Sequence, residues 1–449
     1  MPMSLKSTVK KALPSGVVKS LTPLKHKLMA VAASTVNGFP GRGMKFIGVT
    51  GTNGKTSTTI MIATILQEAG YATGMTTTAV VNDGKKEYEN NLSGGLTNAT
   101  PFPMQKLLKT MRHNGVKWVA VEAGSQGLQQ YRLWGFKFAR AVITNLTNDH
   151  LDYHGTMENY AAAKARLFHQ AKGGVLVTNA DDQWADYFYK QGTGTHVTYG
   201  KKAKDVHLIS VEPQQKHSLV TFECQGQTRQ LKLKLQGEFN AYNALAATAV
   251  TSGMGIDFAV IKKALESLER IPGRMDAVDA GQDFKLFVDY AHTPDAIENI
   301  LRATRALTIG KLVCISGAAG ERSISRRAPV AKIASQLSDV FIITDDEPFS
   351  EDPTKIRNQV KTGIQTGKGM AQIIEVADRT EAIKKAVSLV KKGDTIVIAG
   401  MGHQKYRSGP AGKEKWDDFA VATAVLQGKE DSLTKNWQVV MHQHYPDSY

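Results

Sequence analysis

The sequence predicts two consecutive α/β domains, the first built on a mainly parallel sheet, from three observations. Apolar strand-like runs alternate with helix-like segments from residue 44 onward. The alternation gives way near 205–235 to runs that read as short antiparallel strands, then restarts after "RIPGRMD" at 270–276. The strand-like runs of the second half end in Gly, Asp or His, at the position where open α/β sheets carry their sites. With 42% hydrophobic and 22% charged residues in 449, the chain is globular and long enough for a sizeable core. The expected divisions are a basic leader at 1–43, a first domain at 44–269 and a second at 270–449.

The leader is defined by charge. No Asp or Glu precedes Glu68, whereas Lys6, Lys10, Lys11, Lys19, Lys25, Lys27, Arg42, Lys45 and Lys55 do. Leu5, Val9 and Leu13 have helical spacing before Pro14, and "LMAVAA" at 28–33 is too short an apolar run to span a bilayer or to form a signal-peptide core. Three fates stay open: packing against the next domain, a transit peptide, or a surface-lying amphipathic helix in weak contact with an anionic membrane. The net charge of +15 suits polyanionic partners, among them nucleotides, acidic metabolites, nucleic acid and anionic lipid, without choosing between them. Cys224 and Cys314 lie far apart in strand-like runs without metal spacing, as buried free thiols of a reducing, cytoplasmic compartment do.

The first domain opens on "FIGVTGTNGKTSTTIMIATILQEAGYATG" at 46–74. Phe46, Ile47 and Val49 read as a buried strand, Gly51, Thr52, Asn53, Gly54, Lys55, Thr56 and Ser57 as a loop, and Ile60, Ile62, Ile65 and Leu66 as a helix. Strand, glycine turn and helix N-terminus gather backbone N–H groups and the positive helix end at one point, where Lys55 adds its charge to bound phosphates. Thr56 would then ligate Mg²⁺. The strict phosphate-loop pattern asks for glycine where Val49 stands. The competing reading, an ordinary βα turn with an exposed lysine, is weakened by the strand–turn–helix context.

Further along, Glu122 ends the strand-like run in "KWVAVEA", and Asn145, Asp149 and His150 end the next one, which begins in "ARAVITNLT", ahead of a helix bearing Lys164. Singly these are a cap, a structural histidine and a solvated lysine. Together, a hydroxyl, a carboxylate and an imidazole around a polyphosphate are what divalent-metal phosphoryl chemistry needs.

"GVTGTNGKTSTT", "TNLTNDHLDYHGTMENYAAAKARLF", "GEFNAYNALAA", "RIPGRMD" and "VDYAHTPDA" resemble the Mur ligase family, in its UDP-N-acetylmuramoyl-tripeptide synthetase branch, over roughly residues 45–425. The family's own loop reads T-G-T-N-G-K-T, which accounts for Val49. The resemblance implies an α/β fold with a P-loop central ATPase domain and a Rossmann-like C-terminal α/β domain that binds the amino acid. It also implies ATP-dependent amide formation through an acyl phosphate in peptidoglycan precursor synthesis. By that resemblance Lys55 and Thr56 hold the phosphates and Mg²⁺, while Glu122 and His150 serve the metals. Lys164 matches the lysine that carries a carbamate in the family. Asn240 and Asn243 match the adenine side, and Arg274, Asp289, Tyr290 and His292 the contribution of the C-terminal domain to ATP. Asn98, Thr100, Ser125 and Arg132 match motifs that hold the UDP-muramoyl-dipeptide, and Arg322 sits in the arginine place of a G-x-x-G-x-R motif, with a solvated basic turn as its alternative.

The chain departs from the family in three places. The leader of 43 residues is too short for the family's uridine-binding domain, which places UDP recognition in question. Where diaminopimelate-using members read D-N-P-R, this chain reads Asp346-Glu347-Pro348-Phe349. Two acids and no arginine suit L-lysine or L-ornithine better than meso-diaminopimelate as the free amino acid. Gln404 stands where the family usually has Glu. A monomer without nucleic-acid partners is expected. Two competing readings are a related ligase on a folyl-glutamate or lipid-linked substrate, and a catalytically silent nucleotide-binding scaffold.

Overall fold

The structure is a computed structural model that describes residues 15–92, 96–214, 216–322, 324–430, 440–441 and 443–445. Leu5, Val9 and Leu13 of the leader lie outside the described residues. The apolar runs form strands where alternation placed them. β1 (Lys45–Thr50), β2 (Thr73–Thr76), β5 (Trp118–Glu122), β6 (Phe138–Ile143), β7 (Val175–Asn179) and β8 (Thr195–Gly200) are all parallel, in the order β2-β5-β1-β6-β7-β8. The interiors of β1, β5, β6 and β7 are largely buried on both faces, as their apolar runs require, while β8 is only partly buried.

The sheet grows at both ends by antiparallel pairing. β3 (Val80–Asn82) and β4 (Glu87–Glu89) extend one edge. At the other, β9 (Val206–Pro213) pairs parallel with β8 and starts the antiparallel run β9, β10 (Ser218–Cys224) and β11 (Gln227–Leu233), giving 11 strands in all. The antiparallel segment expected at 205–235 is thus a continuation of the main sheet. Two apolar layers flank that sheet. In one, the helix Lys55–Glu68 is buried nearly all round and packs on Glu238–Ser252, whose Ala241, Ala244, Ala246, Ala247 and Ala249 are small enough for close approach.

The second sheet runs β12 (Asp276–Ala277), β13 (Lys285–Asp289), β17 (Thr395–Ala399), β14 (Leu312–Ser316), β15 (Val340–Ile343) and β16 (Gln372–Glu375), parallel except at β12. It too is covered on both faces. β18 (Tyr406–Gly409) and β19 (Gly412–Lys415) make a separate hairpin.

Within the leader, the helix Ser15–Val36 buries Ala30, Ala33 and Ser34 and packs on Pro101–His113, while Leu24, Leu28, Met29 and Val36 stay exposed. Among the described residues, no helix is long and apolar enough to cross a membrane. Cys224 and Cys314 are buried free thiols.

Candidate active site

The loop after β1 is held open by glycine and by the end of β6. Gly51 has φ 149° and Gly54 has φ 80°. A Cβ on Gly51 would lie 1.8 Å from Thr144 Oγ1, and one on Gly54 2.4 Å from Asn243 Oδ1. The Asn53 amide donates to Asn145 Oδ1 at 2.8 Å, and Thr144 Oγ1 donates to the Asn53 carbonyl at 2.6 Å. Gly54 caps the helix Lys55–Glu68, so the first-turn amides face the loop, and Lys55 Nζ curls back to the Thr52 carbonyl at 2.7 Å.

Glu122, at the end of β5, accepts from Thr56 Oγ1 at 2.9 Å, from the Thr78 amide at 2.7 Å and from Thr78 Oγ1 at 2.9 Å. Arg274 of the second domain donates to Thr56 Oγ1 at 3.1 Å. Hydroxyl, carboxylate and guanidinium therefore meet at the mouth of the loop. Asn98 braces this point from behind, donating to the Glu122 carbonyl at 2.7 Å and accepting from the Gly124 amide at 2.9 Å, while Arg132 holds the Asn98 carbonyl at 2.8 Å. The amide of Asn98 is therefore fully engaged by the backbone. Ser125 Oγ lies 3.0 Å from His154 Nε2.

On the loop after β6, Asp149 is buried and ion-paired to Arg326 of the second domain. His150, at φ 53°, has Nε2 3.4 Å from Asp149 and Nδ1 3.4 Å from Arg326. Burial, with Asp149 opposing and Arg326 assisting, lowers His150 to about 3, so its imidazole is neutral near neutral pH. Lys164 is 1% exposed, with Nζ 2.5 Å from the Gly51 carbonyl and 4.4 Å from the Tyr160 ring centroid. Burial, then the charge of Lys55, holds its ammonium well below the usual lysine range.

The second domain supplies the facing wall. Asp289 accepts from the amides of Met275 at 2.6 Å and Ala291 at 2.7 Å, which fixes the turn carrying Arg274 over the Tyr290 ring. His292 Nδ1 lies 2.7 Å from the Tyr290 carbonyl. Asp346 is bound by the fully buried Arg379 at 2.6 Å, which also holds Asp418 at 2.8 Å. Burial still pushes the Asp346 carboxyl up to about 7 against the pull of Arg379. Asp346 is thus committed to the scaffold. Glu347 accepts from Gln404 Nε2 at 2.9 Å and from the Ser408 amide at 3.1 Å, and the guanidinium of Arg322 lies 5.4 Å from the Phe349 ring centroid.

These groups border one cleft of about 930 Å³. Every site residue expected from the sequence lines it except Gly51, Thr100, Lys164 and Asn240. Thr100 is an exposed helix N-cap, and Asn240 stands behind Asn243, accepting from its amide at 3.2 Å. The sequence reading missed Arg326, Arg379 and His154. Arg326 had a signal in "SISRRAP", a basic turn after a strand; Arg379 had none, because its partners are distant in the chain.

Among the described residues, no three His, Cys, Asp or Glu side chains form a metal cage. The Thr56 hydroxyl and the Glu122 carboxylate, with one lone pair of Oε1 to spare, are oxygen donors that suit Mg²⁺, which keeps waters and takes phosphate oxygens; the neutral His150 imidazole is the softer donor of the set. The donor chemistry fits that ion.

Residues 49–251 match the Mur ligase middle domain and residues 273–402 the Mur ligase glutamate ligase domain. The UDP-N-acetylmuramoyl-L-alanyl-D-glutamate--2,6-diaminopimelate ligase of Aquifex aeolicus is 38% identical over 90% of this chain and 82% of its own length. The chain belongs to the Mur ligase family. The protein of the same name from Syntrophomonas wolfei is 36% identical to this Mur ligase, over 91% of this chain and 83% of its own. A solved structure of a ligase of that name superimposes on this Mur ligase with TM-score 0.58 at 28% identity, covering 91% of this chain and 83% of its own. The Mycobacterium tuberculosis folylpolyglutamate synthase structure, bound to ADP and AMPPCP, shares its fold, with TM-score 0.69 at 18% identity over 92% of this chain and 99% of that one.

Proposed function

We propose that this Mur ligase is an ATP-dependent amide ligase that adds a diamino acid to UDP-N-acetylmuramoyl-L-Ala-D-Glu in cytoplasmic peptidoglycan precursor synthesis. The observation that carries this reading is the meeting of Thr56, Glu122 and Arg274 at the mouth of a glycine loop led by Lys55. The catalytic unit spans 44–269 and the amino-acid unit 270–449.

A carboxylate is a poor electrophile, so activation comes first. The acceptor carboxylate attacks the γ-phosphorus of ATP and the bond to the β–γ bridging oxygen breaks, giving ADP and an acyl phosphate. The amino group then adds to the acyl carbon, phosphate departs from the tetrahedral intermediate, and the nitrogen gives up a proton. The chain contributes position and charge. Lys55 and the first-turn amides hold the phosphates, Asn243 and His292 border the nucleotide, and Arg274 ties the second domain to the loop. Thr56, Glu122 and His150 would hold Mg²⁺, which would supply charge neutralisation for the polyphosphate. Lys164 fits the carbamate role because a buried amine held below its usual range is the form that adds CO₂. A carbon-13 carbamate resonance from the protein in labelled bicarbonate, absent in Lys164→Ala, checks this; its absence from the parent protein rules it out.

For the incoming amino acid, the relatives' names specify 2,6-diaminopimelate. Here Asp346 is taken by Arg379, so Glu347 is the carboxylate left to meet a distal ammonium, close enough to Gln404 to replace the family's acid there. Arg322 meets the α-carboxylate. L-Lysine or L-ornithine fits this arrangement better than an amino acid with a second carboxylate beside Glu347.

The experiment is phosphate release from ATP with UDP-N-acetylmuramoyl-L-Ala-D-Glu, compared across lysine, ornithine and meso-diaminopimelate. Release that needs both substrates is expected, fastest with lysine or ornithine. Release without acceptor dependence would refute the ligase. The exposed Leu24, Leu28, Met29 and Val36 beside Lys25 and Lys27 support weak contact of a monomeric enzyme with anionic membrane surfaces. Co-sedimentation with phosphatidylglycerol vesicles that survives Leu24→Ser with Leu28→Ser would refute that contact.

A further inference from the structure

Arg326 is an N-cap residue of the helix Arg327–Leu337, whose side chain makes no capping bond. Instead it crosses the cleft. Its guanidinium pairs with Asp149 and lies 3.4 Å from His150 Nδ1, while its Nε is buried with no hydrogen-bond partner. The His150 ring lies 6.2 Å from the Tyr160 ring, whose hydroxyl is 3.3 Å from Thr52 Oγ1 of the phosphate loop, and Arg326 lines the same cleft as Lys55, so Arg326 borders the place where the terminal phosphate beyond Lys55 belongs. The neighbouring Arg322 lines the same cleft.

A guanidinium beside His150 occupies a group that a bound cation would use, and a triphosphate, like a carboxylate, is a bidentate partner for a guanidinium and carries more charge. We propose that Arg326 is a terminal-phosphate sensor supplied by the second domain: it rests on Asp149 and His150 in the nucleotide-free protein and transfers to the γ-phosphate when ATP binds. Binding of a triphosphate, and not of a diphosphate, would then exchange this tie between the domains for one through the γ-phosphate. The inference rests on the reading that the cleft holds a nucleotide, and goes beyond it by separating ATP from ADP.

The test measures affinity for ADP and for the non-hydrolysable triphosphate AMPPCP, each with Mg²⁺, by calorimetry on the full chain. Arg326→Ala is expected to weaken AMPPCP about 10- to 100-fold while ADP stays within about twofold, and Arg326→Lys is expected to restore part of the loss. Equal weakening of both nucleotides would make Arg326 a structural tie, and unchanged AMPPCP affinity would leave it a resting ion pair; either overturns the proposal. Failure of the parent protein to bind either nucleotide would instead remove the ATP reading on which it stands. Thermal melting without nucleotide, close to the parent for Arg326→Lys, separates loss of fold from loss of contact.

Discussion

On the first-domain wall of the cleft, the phosphate loop and Glu122 are held by neighbours within the same domain. Gly51 and Gly54 shape the loop, Thr144 and Asn145 at the end of β6 clamp it, and Thr78 and Asn98 fix Glu122 and its backbone. The second-domain wall is built from buried charges that meet across long stretches of sequence: Arg379 with Asp346 and Asp418, Arg357 with Asp345 and Glu375, and Arg326 reaching Asp149. The difference assigns each wall its part. On the proposed function, one is a cradle for a polyphosphate and the other a wall whose charges would meet the amino acid and the terminal phosphate.

Breaking the cradle should have the largest effect. Lys55→Ala removes the only side-chain charge within the loop and is expected to lower kcat at least about 1000-fold with the fold intact, measured by phosphate release and circular dichroism. Loss below about tenfold would mean that the loop does not hold the reacting phosphate.

Next comes the scaffold of the other wall. Arg379→Leu leaves Asp346 and Asp418 buried without their cation and is expected to cost about 3–5 kcal/mol in urea unfolding. A change under about 1 kcal/mol would show that the two acids find other partners. Glu347→Gln sharpens the contrast, because the fold should tolerate it: KM for the diamino acid is expected to rise about 10- to 100-fold while the Kd for ADP holds. An unchanged KM would remove Glu347 from substrate recognition.

The smallest expected effect is on acid stability. Burial lowers His292 to about 4 and His403 to about 3, from 6.5. Between those values and 6.5 the unfolded chain binds more protons than the folded one, so stability contributed by these groups is present near neutral pH and is lost as pH falls from about 6.5 toward 4. His403→Asn should flatten this part of the curve of Tm against pH; an identical slope would place the acid sensitivity elsewhere.

The same contrast explains what was legible in the sequence. The loop, Glu122 and His150 sit in contiguous motifs at strand ends and Lys164 on the helix that follows, so local pattern and resemblance both pointed to them. The edges of the main sheet were partly legible: the run at 205–235 reads as antiparallel, but only pairing of β9 with β8 joins it to the parallel core. Asp346 was read as facing substrate because sequence shows an acid without showing Arg379 against it. Arg326 and Asp149 are far apart in the chain, and their pairing depends on how two domains meet.

The most direct measurement is oxygen-18 transfer. With label in the acceptor carboxylate of UDP-N-acetylmuramoyl-L-Ala-D-Glu, attack on ATP followed by amide formation carries one labelled oxygen into the released phosphate, read by phosphorus-31 NMR. Labelled phosphate in step with amide product is the expected result; amide product with unlabelled phosphate would contradict an acyl phosphate in this cleft.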